Sequence, residues 1–519
     1  MGKSAAELGI GPALAAVLPQ DGLRWWQKPS LLRLNLCLFS LFLFAAANGY
    51  DGSMMNGLQA LHQWQDSLHH PKGAWLGFIN AVQSLGAFVC FPFVAWSNNR
   101  FGRKKTIAVA FFWLTAGVSI QTSAQNPAMF IIGRMCIGGV SAFFGASVPL
   151  LMTETAFPTH RGVITAFYNC GWYIGSLVAA WVTFATRDIA NTWAWRIPSL
   201  LQAAVPLMAL PGYLLTPESP RWLISQDRFE EARAILVKYH GNGDPDSPLV
   251  QYEYEEIASA IELERRVAKE TSWAQMVRTP GNRHRTFITI SLGIFAQWNG
   301  VGIASYYLAP VLLTVGVTSV THQTMISGFL QVWNLILAVG AALSVDRLGR
   351  RTLFLSSCLG MLMSYIFITA LSGSFAATHH SATGLAVIPF LFIYYGFFDI
   401  AFTPLAVSYT CEIWNYTLRA RGLAMQNVAT QLAIFFNVFI NPIALDSIKW
   451  KYYIVYVALL MVITATIWYA YPETRGHTLE EMTTVFDGSN ASDEAKLGET
   501  AVTRHAEKQE HLEPSPKEV

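Results

Sequence analysis

The feature that most constrains this chain is a series of apolar runs, each long enough to cross a bilayer, joined in places by very short turns dense in arginine. A helix needs about 20 apolar residues to span the hydrocarbon core. Runs of that order flank Asp346-Arg347-Leu348-Gly349-Arg350-Arg351 on both sides. Three arginines in so short a connection resist translocation, which predicts a cytoplasmic position for the turn. Asn99-Arg100-Phe101-Gly102-Arg103-Lys104-Lys105 repeats the arrangement earlier in the chain. Glu154 precedes Arg161-Gly162 by the interval that separates Glu412 from Arg419, and Pro217-Glu218-Ser219 is answered by Pro472-Glu473-Thr474. These correspondences run in the same order about 250 residues apart, the mark of a duplicated membrane unit.

Composition agrees. Charged residues make up 13% of the chain, where a soluble domain carries about 25%. A net charge of +2 gives no electrostatic case for nucleic acid. The cysteines (Cys37, Cys90, Cys136, Cys170, Cys358, Cys411) lie in or at the ends of apolar runs, without C-x-x-C or metal-ligand spacing, so they read as small hydrophobes. No metal and no cofactor is expected. The stretch Ile10–Leu18 is broken by Gly11 and Pro12 and preceded only by Lys3, so the first span, not a cleaved leader, is expected to direct insertion. His69, His70, His379 and His380 fall in predicted outer loops with no catalytic or metal partner in register.

The apolar runs lie at about 33–57, 73–95, 106–124, 128–152, 162–185, 195–215, 286–311, 323–345, 352–373, 384–411, 422–443 and 452–471. The predicted fold is therefore an all-α membrane protein. Twelve transmembrane helices form two pseudo-symmetric six-helix bundles, 33–215 and 286–471, with a cytosolic helical linker at 216–285. The linker holds an amphipathic pattern at Asp227–Tyr239 and a charged helical run at Tyr252–Lys269. Residues 1–32 read as a cytosolic lead-in, and 472–519 as a mostly disordered cytosolic tail. Asn490-Ala491-Ser492, a glycosylation acceptor by sequence, falls in that tail and carries no meaning there.

Asp51 is the sharpest functional residue. A carboxylate inside a membrane span is costly, faces a cavity as a rule, and serves proton relays. Arg134 is its natural partner, and the pair can switch with the protonation of Asp51. The plain alternative is that Arg134 and Asp51 only anchor the bundle. No nucleophile–base set, metal cluster or phosphate-cradling loop is present, which argues against an enzyme.

Taken together, Gly49-Tyr50-Asp51, the two R-x-G-R turns, Arg134 with Gly138, Pro217-Glu218-Ser219-Pro220-Arg221-Trp222-Leu223 and Pro472-Glu473-Thr474-Arg475-Gly476 resemble the sugar porter family of the major facilitator superfamily, over about 33–485. Gln297-Trp298-Asn299-Gly300 and Pro404–Thr410 are similar to the fungal lactose/cellodextrin permease branch. The resemblance implies a plasma-membrane carrier of a disaccharide or hexose, monomeric in the bilayer and proton-coupled through Asp51 and Arg134. It implies that Arg100, Arg103, Glu154, Arg161, Asp346, Arg347, Arg350, Glu412 and Arg419 form a cytoplasmic gate in the outward-open state. Their plain alternative is a topology signal. Asn99 stands where the family has an acid, which predicts a weaker first latch. The implied sugar contacts are Asn169, Gln297, Asn299, Asn334 and Asp399, with Tyr306, Tyr307, Tyr409 and Trp414 as aromatic surface. Ala296, Val301 and Gly302 depart from the family's amides, which leaves room for a less hydroxylated cargo such as quinate, a polyol or a secondary metabolite.

Overall fold

The structure is a computed structural model that describes residues 12–19, 23–270, 272–475, 482 and 485–487. In hydrocarbon a backbone can satisfy its own N–H and C=O groups only as a helix or a closed barrel. The apolar runs accordingly fold as helices. The first half holds α1 (Pro29–Ala60), α2 (Gly73–Phe101), α3 (Arg103–Thr122), α4 (Pro127–Thr155), α5 (Arg161–Thr186) and α6 in two pieces (Trp193–Leu201, Ala204–Leu215). The second half opens with α7 in three pieces (Pro280–Trp298, Val301–Tyr306, Leu308–Thr314). It continues with α8 (Val320–Leu348), α9 (Arg350–Thr378), α10 (Val387–Ile413), α11 (Tyr416–Ile448) and α12 (Tyr452–Ala470). Among the described residues, 8 stretches are long and apolar enough to cross a membrane, and the last, Thr417–Ala470, contains both α11 and α12.

Packing repeats between the halves. Helix α1 lies on α5 as α7 lies on α11, α2 on α4 as α8 on α10, and α3 on α4 as α9 on α10. The bundles meet along α2–α11 and α5–α8, the two contacts that a pseudo-two-fold axis exchanges. Without a hydrophobic force between helices in lipid, small residues let backbones approach. A Cβ on Gly49 would sit 1.8 Å from the Trp172 carbonyl oxygen, and one on Gly175 would sit 1.8 Å from that of Ala46, so the α1–α5 crossing requires glycine on both sides. The two Arg-rich turns also match. Gly102 and Gly349 break the chain at φ +91° and +85°, a region that only glycine enters without strain.

The linker forms helices at Pro220–Ser225, Phe229–Tyr239 and Pro248–Glu270. They share a small core of Trp222, Leu223, Ile224, Ala232, Ile257 and Ile261. Phe39, Phe93, Trp96, Phe112, Met208 and Trp468 are exposed on the helical surface, an apolar belt that fits lipid and not water. The six cysteines are free thiols. Asn490 lies outside the described residues.

Candidate functional site

Between the bundles lies a cavity of about 320 Å³. Gly52 and Ser53 of α1 and Trp172, Tyr173 and Ser176 of α5 form its first-bundle wall. Facing them are Gln297, Val301, Ser305 and Tyr306 of α7, Gln331 and Asn334 of α8, and Tyr395, Phe398 and Thr403 of α10, with Ile434 of α11. Gly52 leaves room for two rings, because a Cβ there would come within 3.3 Å of Trp172 and 3.6 Å of Tyr306. At the end away from the Arg-rich turns, the bundles are joined. Gln59 on α1 donates to the Tyr306 carbonyl (2.8 Å), Ala309 N–H donates to Asn56 Oδ1 (3.4 Å), and Arg187, just past the end of α5, donates to Thr321 on α8 (3.2 Å).

Of the residues singled out in the sequence, Gln297, Asn334 and Tyr306 line this cavity. Asp399 sits behind the wall, its Oδ1 accepting from the hydroxyls of Tyr173 and Thr403. Four others do different work. Asn299 is fully buried, and its Oδ1 accepts from Val301 N–H (3.0 Å) and Tyr394 OH (3.1 Å), capping the break in α7 at Gly300. The Tyr307 hydroxyl donates to the Val438 carbonyl (2.6 Å), fastening α7 to α11. Tyr409 donates to the Pro472 carbonyl (2.7 Å) and stacks on Tyr471 near the Arg-rich turns, while Trp414 donates to Thr289. The side chain of Asn169 lies outside those described.

Asp51 and Arg134 meet. Arg134 Nη1 stands 3.3 Å from Asp51 Oδ1, with the two side chains 2% and 1% exposed. Gln202 on α6 donates to the same oxygen (2.8 Å), while Arg134 also donates to the Ile79 carbonyl (3.0 Å) and Gln83 Oε1 (2.8 Å). Asp51 Oδ2 has no partner among the described residues. The pair therefore sits inside the first bundle, one and two residues along α1 from the cavity-lining Gly52 and Ser53.

At the Arg-rich end each bundle carries the same brace. Arg103 grips Glu154 (2.8 and 2.9 Å), whose other contact is the Ser219 hydroxyl, and Glu218 accepts the first N–H groups of α3 from Arg103 and Lys104 (both 3.1 Å). Arg350 grips Glu412 (3.0 and 3.2 Å), Thr474 takes the place of Ser219, and Glu473 accepts from Arg350 (2.7 Å) and Arg351 (3.0 Å) at the start of α9. A carboxylate at a helix N-terminus is favoured by the unpaired N–H groups there. Each pair closes within its own bundle, so it stiffens a bundle end and does not itself tie the halves together. The Arg103–Glu154 pair is the more closely joined, although Asn99 replaces the expected acid; Asn99 contributes its carbonyl to Trp222 of the linker instead (3.0 Å). Arg100 is exposed, and Arg161 pairs with the buried linker residue Glu253 (3.0 Å). The side chains of Asp346 and Arg347 are not among those described.

A family model described as "Sugar (and other) transporter" matches residues 36–486. The chain belongs to that transporter family. A high-affinity glucose transporter of Kluyveromyces lactis is 26% identical, covering 89% of this chain and 86% of that protein. The MFS-type transporter oryC of Aspergillus oryzae is 27% identical over 86% of this chain and 83% of its own length. Among solved structures, a partially occluded inward-open conformation of the E. coli xylose transporter XylE superposes with TM-score 0.72 at 22% identity, covering 86% of this chain and all of that one. The likeness shows the fold, two bundles about a central cavity.

Several wall residues of this transporter escaped the sequence reading: Tyr173, Ser176, Gln331, Thr403 and Tyr395. Helical spacing carried the signal. Tyr173 follows Asn169 by four positions and Gln331 precedes Asn334 by three, so each pair shares a helix face in an otherwise apolar run.

Proposed function

We propose that this transporter moves a sugar across the plasma membrane by alternating access, with a proton as co-substrate. The Arg-rich turns, the linker at 216–285 and both termini face the cytoplasm. The observation that carries the reading is the cavity between the bundles, where amides of both α7 and α8 face aromatic rings of α5 and α7 beside a buried Asp–Arg pair. Sugars need donors and acceptors for several hydroxyls and flat apolar faces to lie on. Gln297, Gln331 and Asn334 supply the amides, Ser176, Ser305 and Tyr395 the hydroxyls, and Trp172 and Tyr306 the faces. At about 320 Å³ the cavity is at the small end of ligand pockets, which favours a monosaccharide over a disaccharide.

Proton coupling is assigned to Asp51. While ionised it holds Arg134 and Gln202; protonation releases both donors and lets α1 shift against α4 and α6. Loading of both sites favours the state open to the other side, and rocking of the bundles follows. Val301, Phe398 and Ile434 in the wall support a second reading, a less hydroxylated cargo such as a polyol or a quinate-like acid. Uptake of radiolabelled D-glucose in a transport-null host, competed by hexoses, disaccharides, polyols and quinate at two external pH values, separates the two. The sugar reading expects hexoses to compete and acid to speed uptake; competition by quinate alone refutes it.

A further inference from the structure

Asp399 is a second carboxylate buried in a membrane helix, and its surroundings differ from those of Asp51. It lies on α10 and is fully shielded from solvent. Its Oδ1 accepts hydrogen bonds from Tyr173 on α5 and from Thr403 one turn along its own helix (3.1 Å), whereas Oδ2 has no partner among the described residues. No cation among the described residues compensates it. Among the described residues the titratable groups that face it are Tyr173 and Cys170 of α5 and Tyr394 and Tyr395 of α10. The described side chains of helices α7, α8, α9 and α11 bring no charge to it. A buried ionised carboxylate without a cation is costly, and two hydroxyl donors on one oxygen offset only part of that cost. Tyr173 and Thr403 both line the cavity, so the carboxylate stands one side chain from the solute route. The Tyr173–Asp399 bond also crosses from the first bundle to the second.

The geometry points to Asp399 as a second proton-carrying carboxylate of this transporter, with Tyr173 as the positioning residue that makes it a clasp between the bundles. The inference rests on the symport reading and adds a site to it. With Asp399 ionised, the Tyr173 bond is charge-assisted and roughly twice as strong as a neutral one, which holds α5 against α10. One proton taken from cavity water onto Oδ2 gives the neutral acid, weakens the clasp and frees the bundles to rock. Return of that proton to water on the other side restores the ionised form, and no other bond changes.

The test is a pH titration of the reconstituted full chain followed by infrared difference spectroscopy, which needs no solute. A protonated-carboxyl C=O band is expected that Asp399→Asn abolishes and Asp51→Asn leaves in place. Tyr173→Phe removes a bond that favours the charged form, so the midpoint of the band moves up by about one pH unit. A set of carboxyl bands that loses no component in Asp399→Asn overturns the assignment, and so does an unmoved midpoint in Tyr173→Phe. Should Asp399→Asn fail to fold, the Tyr173→Phe midpoint decides alone. In proteoliposomes, the charge moved per radiolabelled D-glucose then falls by one in Asp399→Asn, and an unchanged ratio refutes a transported proton. A protein that carries no D-glucose fails the symport reading in this second measurement and leaves the infrared result intact.

Discussion

Asn299→Ala and Gln297→Ala, two positions apart on α7, are expected to fail in opposite ways. Asn299 is fully buried and holds Val301 N–H and the Tyr394 hydroxyl on one oxygen, across the break at Gly300 where φ is +107°. Alanine strands the first of these donors outright. The second keeps only its longer contact to the Asn299 carbonyl (3.3 Å). A buried donor left unmade costs about 1–3 kcal/mol, so one full and one partial loss amount to about 2–4 kcal/mol. Gln297 borders the cavity and has no such task; its loss removes one solute hydrogen bond, about tenfold in affinity. The assay pairs the thermal unfolding midpoint of the purified protein with KM for radiolabelled D-glucose uptake. Asn299→Ala should lower the midpoint by several degrees, while Gln297→Ala should leave it in place and raise KM about tenfold. A raised KM at an unchanged midpoint in Asn299→Ala would refute the division of labour.

The two braces should respond differently to charge removal and to pH. Burial pushes the Glu218 carboxyl up, against the N–H groups of Ser219, Lys104 and Arg103 that hold its charged form. Burial also pushes Glu473 upward, but four backbone N–H groups outweigh it and hold that carboxyl below the usual range. Glu473 therefore adds stability above the ordinary glutamate pKa and loses it as pH falls through its lowered value, whereas Glu218 is favoured in acid and loses ground as pH rises through its raised value. Glu473→Gln should cost more than Glu218→Gln at neutral pH, with the gap closing on acidification; unfolding midpoints across a pH series check this, and parallel curves would contradict it. Arg103→Ala should destabilise more than Arg350→Ala, because the first pair is tighter and its carboxylate better shielded, 11% against 27% exposed; equal midpoints count against it. Gly49→Ala is expected to yield no folded protein by size exclusion, since its Cβ meets a carbonyl oxygen of α5.

Much of the architecture was legible because lipid leaves a chain few choices: length and apolarity define the spans, and arginine marks the turns. The duplicated brace was legible for a related reason, since Arg103, Glu154 and Glu218 recur as Arg350, Glu412 and Glu473 in one order. What stayed hidden depends on direction, not composition. Gln297 and Asn299 look alike in sequence, yet the break at Gly300 turns one toward the cavity and the other into the helix gap. Tyr307 and Tyr409 are aromatic residues near the expected places, but their hydroxyls are used up by the carbonyls of Val438 and Pro472. Tyr173 carried no motif, and only its meeting with Asp399 across the bundle interface gives it meaning.

Proton movement with solute tests the account most directly. Deenergised cells expressing this transporter in a transport-null background are given D-glucose in lightly buffered medium while external pH is recorded. Alkalinisation is predicted on addition, in proportion to uptake, and Asp51→Asn should lower the protons moved per sugar by one while leaving a folded, membrane-inserted protein. Uptake at the full rate with no pH change, or a proton-to-sugar ratio left unchanged by Asp51→Asn, would contradict the claim that the buried pair beside the cavity couples the proton to the sugar.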